Sequence, residues 1–221
     1  MSGRLNEETD MTRRTFISLA AGVTALLAAG CATPPPGAYV PLPEGTVSVY
    51  HRTSTGSYGQ ADGPVSWSHQ RGTWQGRPVL MAVSPQAGTN VTDPDTHQLV
   101  AVLNGAGQPV NSFSPPMGPR YPLEVGQAWT ATSQLTLHSR NTTVPYEVKY
   151  RVEAYEPVTV PAGTFMAYRL RYTDNFGESF TVWTAPAQGI ATVKRVLDRP
   201  ATHPQGAGHL EGVLTSVKRP G

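Results

Sequence analysis

Cysteine is almost missing from this sequence: the 221 residues hold a single one, Cys31. An intramolecular disulfide is therefore excluded, and the fold must hold by packing alone. Charge of either sign is sparse and scattered, with 17 basic and 15 acidic residues and a net charge of +2. Outside the first residues there is no basic stripe, so nucleic acid is not an expected partner. The apolar stretch from Phe16 to Gly30 is short of the roughly 20 residues of a membrane-spanning helix. Also missing are the nucleophile elbow, the phosphate-binding glycine loops and the His-Glu-x-x-His zinc helix. No catalytic set is visible, so an enzyme is not expected, and no cofactor or metal is implied.

The N-terminal residues carry an address. Arg13 and Arg14 precede an uncharged run from Phe16 to Gly30 that ends in small residues. A charged start, a short apolar stretch and a small-residue end make residues 1–30 a signal peptide, with a start at Met11 as a second possibility. Thr12-Arg13-Arg14-Thr15-Phe16-Ile17 resembles the twin-arginine export motif, with Arg13, Arg14 and Phe16 at the expected offsets. Such motifs are read by a receptor and do not anchor.

Leu27-Ala28-Ala29-Gly30-Cys31 resembles the lipobox of bacterial lipoproteins. That resemblance implies cleavage before Cys31 and acylation of its thiol, with two or more chains for stable anchoring. The leucine lies one place further from the cysteine than the family prefers. The expected partner is thus a membrane, reached through lipid on Cys31 on the outer side of the inner membrane. If the cell is Gram-negative, Ala32 instead of Asp after the cysteine implies the outer membrane, facing the periplasm. Residues 31–44 then hold five prolines and read as a semi-rigid spacer.

The rest, residues 45–218, alternates with period two and shows no helical stripe, so a single all-β antiparallel domain is expected. Its 22 glycines and 21 prolines, shared with the leader and spacer, suit a turn-rich sheet protein. In the clearest strand Tyr146, Val148, Tyr150, Val152 and Ala154 face a core, while Glu147, Lys149, Arg151 and Glu153 face water. Trp129, Ala131, Leu135 and Leu137 make a second inner row. Met166, Tyr168, Leu170 and Tyr172 make a third. Turn signals at Asn104-Gly105, Pro161-Ala162-Gly163 and Asp174-Asn175 separate such runs. About ten or eleven strands follow, in a curved sheet or half-barrel or in a β-sandwich.

Residues 119–197 resemble a module of exported bacterial proteins. The resemblance rests on Tyr121-Pro122-Leu123 with Gly126 and Trp129, Pro161-Ala162-Gly163-Thr164-Phe165, and Trp183-Thr184-Ala185-Pro186 with Gly189. It implies a curved antiparallel sheet, similar in some members to periplasmic lipid-carrier half-barrels, and is nearly silent on activity.

Polar clusters offer little chemistry. Asp93-Pro94-Asp95-Thr96-His97 reads as a polar turn before a strand at Leu99, and His203 and His209 read as surface loop. Glu147, Glu153 and Glu156 share their surroundings with Lys149 and Arg151 and read as a charge-balanced wet face. The aromatic set Trp129, Tyr146, Tyr150, Tyr168 and Tyr172 could line a cavity for a hydrophobic ligand, though a filled core is the plainer reading. Two functions stay open. One is a non-enzymatic envelope lipoprotein that binds a hydrophobic or amphiphilic ligand in a curved sheet. The other is an accessory lipoprotein that contacts another envelope protein.

Overall fold

Period-two alternation becomes strand almost everywhere in the structure, a computed structural model that describes residues 37–221. The signal peptide, Arg13, Arg14, Phe16, the Leu27–Gly30 stretch and Cys31 lie outside the described residues. Twelve strands follow one another: β1 (Val47–Gly56), β2 (Ala61–Trp74), β3 (Arg77–Ser84), β4 (Gly88–Thr92), β5 (Leu99–Leu103) and β6 (Pro109–Met117). Then come β7 (Ala128–Leu137), β8 (Thr142–Val160), β9 (Gly163–Asp174), β10 (Ser179–Ala185), β11 (Ile190–Arg199) and β12 (Gly208–Lys218). Among the described residues no helix is long and apolar enough to cross a membrane.

Each strand pairs antiparallel with the next, and β1 pairs with β12 from Val47↔Lys218 to Gly56↔Gly208. The sheet is therefore a closed up-and-down barrel of twelve strands. This corrects the expectation of about ten strands in an open half-barrel or a sandwich. The physical reason is the edge: joining β1 to β12 satisfies backbone groups that an open sheet would leave unpaired.

The expected turns are present. Asn104 closes the β5–β6 hairpin by accepting the Ala106 and Gln108 amides on its Oδ1 at 3.0 and 2.9 Å. Pro161-Ala162 turns β8 into β9. A register shift between Val152 and Ala154 corrects one inner row. Tyr150 and Val152 stay inside, but Ala154 is carried opposite Arg169, on the face where Arg169 meets Glu153 at 3.2 Å and Glu156 at 3.3 Å. That face also holds exposed Lys149, Arg151 and Arg171 in mid-strand. A membrane-spanning barrel needs an apolar band at that height, so this wall suits water.

The core is divided. Leu123, Val152, Tyr168 and Leu170 pack on the barrel wall. Met117, Val148 and Tyr150 continue that wall. The β8–β9 tip reaches over to β12, where the Ala162 amide donates to the Leu214 carbonyl at 3.3 Å. There Val160 and Ala167 bury against Ala185, Ile190, Val193 and Leu214. Asn90 and Thr92 line the lumen, so Val91 between them points away and packs with Val79, Ala101 and Leu103.

Candidate functional site

A barrel of eight strands has an interior that side chains just fill; twelve strands enclose more room than side chains alone occupy. The lumen accordingly keeps two cavities, of about 430 and 490 Å3. Phe113 and Tyr146 border both and meet with ring centroids 5.7 Å apart, forming a partition. The filled-core reading of the aromatic face is thereby corrected: part of it bounds open space.

The first cavity opens toward the end where the chain enters the barrel. The segment read as a semi-rigid spacer is packed here from Gly37 onward. The Leu123 amide donates to the Gly37 carbonyl at 2.8 Å, and the Val40 amide to the Pro186 carbonyl at 3.0 Å. A Cβ on Gly37 would collide with the Leu123 backbone, so only glycine fits this crossing. Tyr39 then lies over the mouth, its ring 4.2 Å from that of His97 and 5.1 Å from that of Tyr121. This strap is held by aromatic stacking and main-chain bonds, with no ion pair among the described residues.

Inside, the walls are mostly aromatic and aliphatic. Tyr150 and Tyr172 come from adjacent positions on β8 and β9, and Phe180 stacks on Tyr172 at 4.4 Å. Leu170, Val182 and Leu197 complete the apolar lining. Burial pushes the hydroxyls of Tyr50 and Tyr172 up to about 12, with the positive charge of Arg195 pulling the other way. Tyr50 donates its hydroxyl to the Thr192 carbonyl at 3.0 Å.

Arg195 lies in this wall. It sits on β11 between Val182 of β10 and Gly212 of β12, and it faces the cavity. Among the described residues its guanidinium has no carboxylate at ion-pair distance and no hydrogen-bond acceptor. Desolvation pulls its pKa below the ordinary arginine value, although arginine stays charged in proteins.

The second cavity, at the other end, is different in kind. Asp174, Glu178 and His203 bring their ligand atoms within 4.8 Å of one another, all buried. Each already has a partner. Arg199 donates its Nε to Glu178 at 3.1 Å, with its guanidinium 3.9 Å from the Tyr58 ring centroid. The Tyr58 hydroxyl donates to the same carboxylate. Asp174 accepts the Phe176 and Glu178 amides, both at 2.9 Å, and the Tyr146 hydroxyl at 3.2 Å. Burial raises the pKa of Asp174 despite these bonds. With a guanidinium against the carboxylate, the cluster works as a lock on the 174–178 turn and the 200–206 loop, and it makes a poor cation site. The expectation of His203 as surface loop is corrected: its side chain is 7% exposed and 3.8 Å from Glu178. His209 is exposed and pairs with Asp198 at 2.7 Å.

The aromatic set distributes unevenly. Tyr146, Tyr150 and Tyr172 line the first cavity, whereas Trp129 and Tyr168 do not. Trp129 stacks flat on Tyr150 at 4.9 Å and backs the wall. Tyr168 is sealed by Leu123 from the β6–β7 connection and stacks on Tyr155 at 4.5 Å. Asp93 to His97 does form a turn, with the Asp93 carboxylate accepting the Thr96 amide at 2.7 Å, but His97 leaves it to join the cavity mouth. Sequence reasoning missed Arg195, Phe180, Phe113 and Tyr39. Alternation of Phe180, Val182 and Thr184 was the available signal for β10.

No protein family matches the chain, and no curated protein matches its sequence. Solved structures similar to this chain include the following three. A protein described as exported, with a YmcC-like fold, from Bacteroides fragilis is 15% identical with a TM-score of 0.47, covering 82% of this chain and 99% of its own. A protein described as a lipoprotein from Parabacteroides distasonis is 14% identical with a TM-score of 0.40, covering 80% and 97%. The hypothetical lipoprotein YmcC from Escherichia coli is 13% identical with a TM-score of 0.44, covering 78% and 85%. At TM-scores this low the likenesses bear on neither the mechanism nor the function of this chain.

Proposed function

We propose that this protein is a lipid-tethered envelope barrel that binds a small hydrophobic or amphiphilic ligand in its lumen, without catalysing a reaction. The observation that carries this is the first cavity. Its volume of about 430 Å3 falls in the range of roughly 300–1,000 Å3 typical of small-molecule sites. Its walls are aromatic and aliphatic, and a strap of the same chain covers its mouth. The tether follows from the lipobox resemblance and export from the twin-arginine resemblance, with Cys31 as the acylated residue.

The ligand reading is tested by purifying the full chain from its host envelope and comparing native with denaturing mass spectra. A co-purifying amphiphile is expected; a ligand-free mass under gentle conditions overturns the reading and directs attention to protein contacts. The tether is tested by Cys31→Ser, which should release the protein from membranes or leave it uncleaved. Unchanged fractionation and migration would exclude acylation at Cys31.

A further inference from the structure

The lumen holds one feature that a purely apolar ligand does not explain. We infer that the ligand of the first cavity is an amphiphile with an anionic head, a carboxylate or a phosphate, which pairs with Arg195 while its tail lies against Tyr150, Tyr172 and Phe180. This deepens the ligand-binding reading and rests on it.

The argument begins with position. Lys194 and Arg195 are neighbours on β11, and alternation sends one out and one in. Lys194 goes out and lies over the Trp183 ring at 5.5 Å. Arg195 goes in, to the cavity wall. Burying a charge without a partner is costly, so an inward arginine in an aromatic wall calls for compensation. The nearby acids are engaged elsewhere: Glu178 by Arg199 and Tyr58, Asp174 by Tyr146.

The register adds a second observation. Across β11, β12 and β1, Arg195 pairs with Gly212, and Gly212 pairs with Arg52. A Cβ on Gly212 would lie 3.1 Å from Arg195 Nε and 3.3 Å from its Cγ, so the missing side chain gives the guanidinium its room. Arg52 adds a second positive charge to this row. It donates only to neutral acceptors, the Ser54 hydroxyl at 3.3 Å and the Tyr58 carbonyl at 3.1 Å. With no carboxylate paired to either arginine among the described residues, Arg195 in the cavity wall, backed by Arg52 two strands away in the same row, sets positive charge against a mostly aromatic and aliphatic lining. A guanidinium presents its donors as a planar fork matched to a carboxylate or phosphate.

The test uses the full-length protein in a neutral detergent and tryptophan quenching by dibromostearate, by its methyl ester and by a dibromo-acyl lysophosphatidic acid. Trp129 reports because it stacks on the cavity wall. Wild type is expected to be quenched by at least one of the anionic probes at about 10- to 100-fold lower concentration than by the ester, the gain of a charge-assisted hydrogen bond. Arg195→Met should bring the anionic probes to the level of the ester while leaving the ester unchanged. Micelle partition is common to both proteins and cancels between them. The stronger of the two anions identifies the head group. Equal quenching by acid and ester in wild type, unaltered by Arg195→Met, overturns the anionic head but leaves a hydrophobic ligand standing. Should no probe quench wild type beyond a micelle control, both the ligand reading and this inference fail.

Discussion

The two halves of the lumen treat the same residue type in opposite ways. At the far end Arg199 is locked between a carboxylate and an aromatic ring, and every charged neighbour has a partner. At the strap end Arg195 faces open space with none. A closed network of charges gives rigidity to a turn and a loop. A lone charge in an apolar chamber is paired only when something else brings the opposite charge. The difference teaches that cavity size alone does not mark a site: the two cavities are of similar volume, yet the buried Asp174, Glu178 and His203 of the second all have partners.

The comparison is broken most severely by Arg199→Met. It would leave the buried Glu178 carboxylate without its cation, at a cost of about 3–5 kcal/mol in denaturant unfolding. Arg195→Met should cost nothing, or even stabilise, because no buried carboxylate is orphaned. A comparable loss in both variants would mean that Arg195 has an internal partner after all.

Phe113→Ala takes down half of the partition. A loss of about 2–3 kcal/mol is expected, toward the low end for a buried ring because Phe113 already borders both cavities. The two chambers should join, and a crystal structure of the variant or xenon uptake would show it. Tyr39→Ala acts on the strap alone, removing its stacking with His97 and Tyr121. About 1–2 kcal/mol is expected, and it should appear as faster hydrogen exchange at the Val40 amide without change at Glu178.

Acid should push the two ends in opposite directions. Burial lowers the pKa of His69 and of His97, both at the strap end. A histidine with a depressed folded pKa contributes stability that is fully present above its unfolded value near 6.5 and lost as pH falls through the folded value. Burial raises the pKa of Asp174 at the far end. Its contribution is present below the unfolded carboxylate value and is lost as pH rises through the folded one. Hydrogen-exchange protection, taken relative to the intrinsic rate at each pH, should therefore fall around Thr46 and His69 and rise around the Asp174 turn between pH 7 and pH 5. Parallel changes at both ends would contradict these assignments. The smallest effect belongs to the outer surface: Asp198→Ala breaks an exposed pair with His209 and should change stability by no more than about 0.5 kcal/mol.

Much of this barrel could be read from residues in a row. Tyr146 to Val152 alternate without a break, and Asn104, Asp174 and Pro161-Ala162 mark turns by their local chemistry. These are short-range properties, set by backbone sterics and by side chains one or two positions apart. The count of strands was harder. β4 and β5 have five residues each, and β6 is interrupted by an irregular pairing with β5, so their alternation is weak.

The candidate site depended on longer range. Phe180, Val182 and Thr184 of β10 line the lumen, and Val182 pairs with Arg195 while Trp183 pairs with Lys194, so the pairing turns Arg195 to the lumen and Lys194 to the Trp183 face. Two adjacent basic residues look identical in a sequence. The strap was hidden for a similar reason: prolines at 41 and 43 say extended chain, and nothing local says that Tyr39 will find His97 and Tyr121.

By itself, then, the sequence determined the strand class, most of the turns, and the inner face carrying Tyr146, Tyr150 and Tyr172. Only tertiary structure decided closure, the split lumen and the unpaired Arg195. Closure needs Val47 to find Lys218, a pairing between opposite ends of the domain that no local pattern encodes. Once twelve strands close, the circumference sets a lumen that side chains cannot fill, and the cavities follow from that geometry.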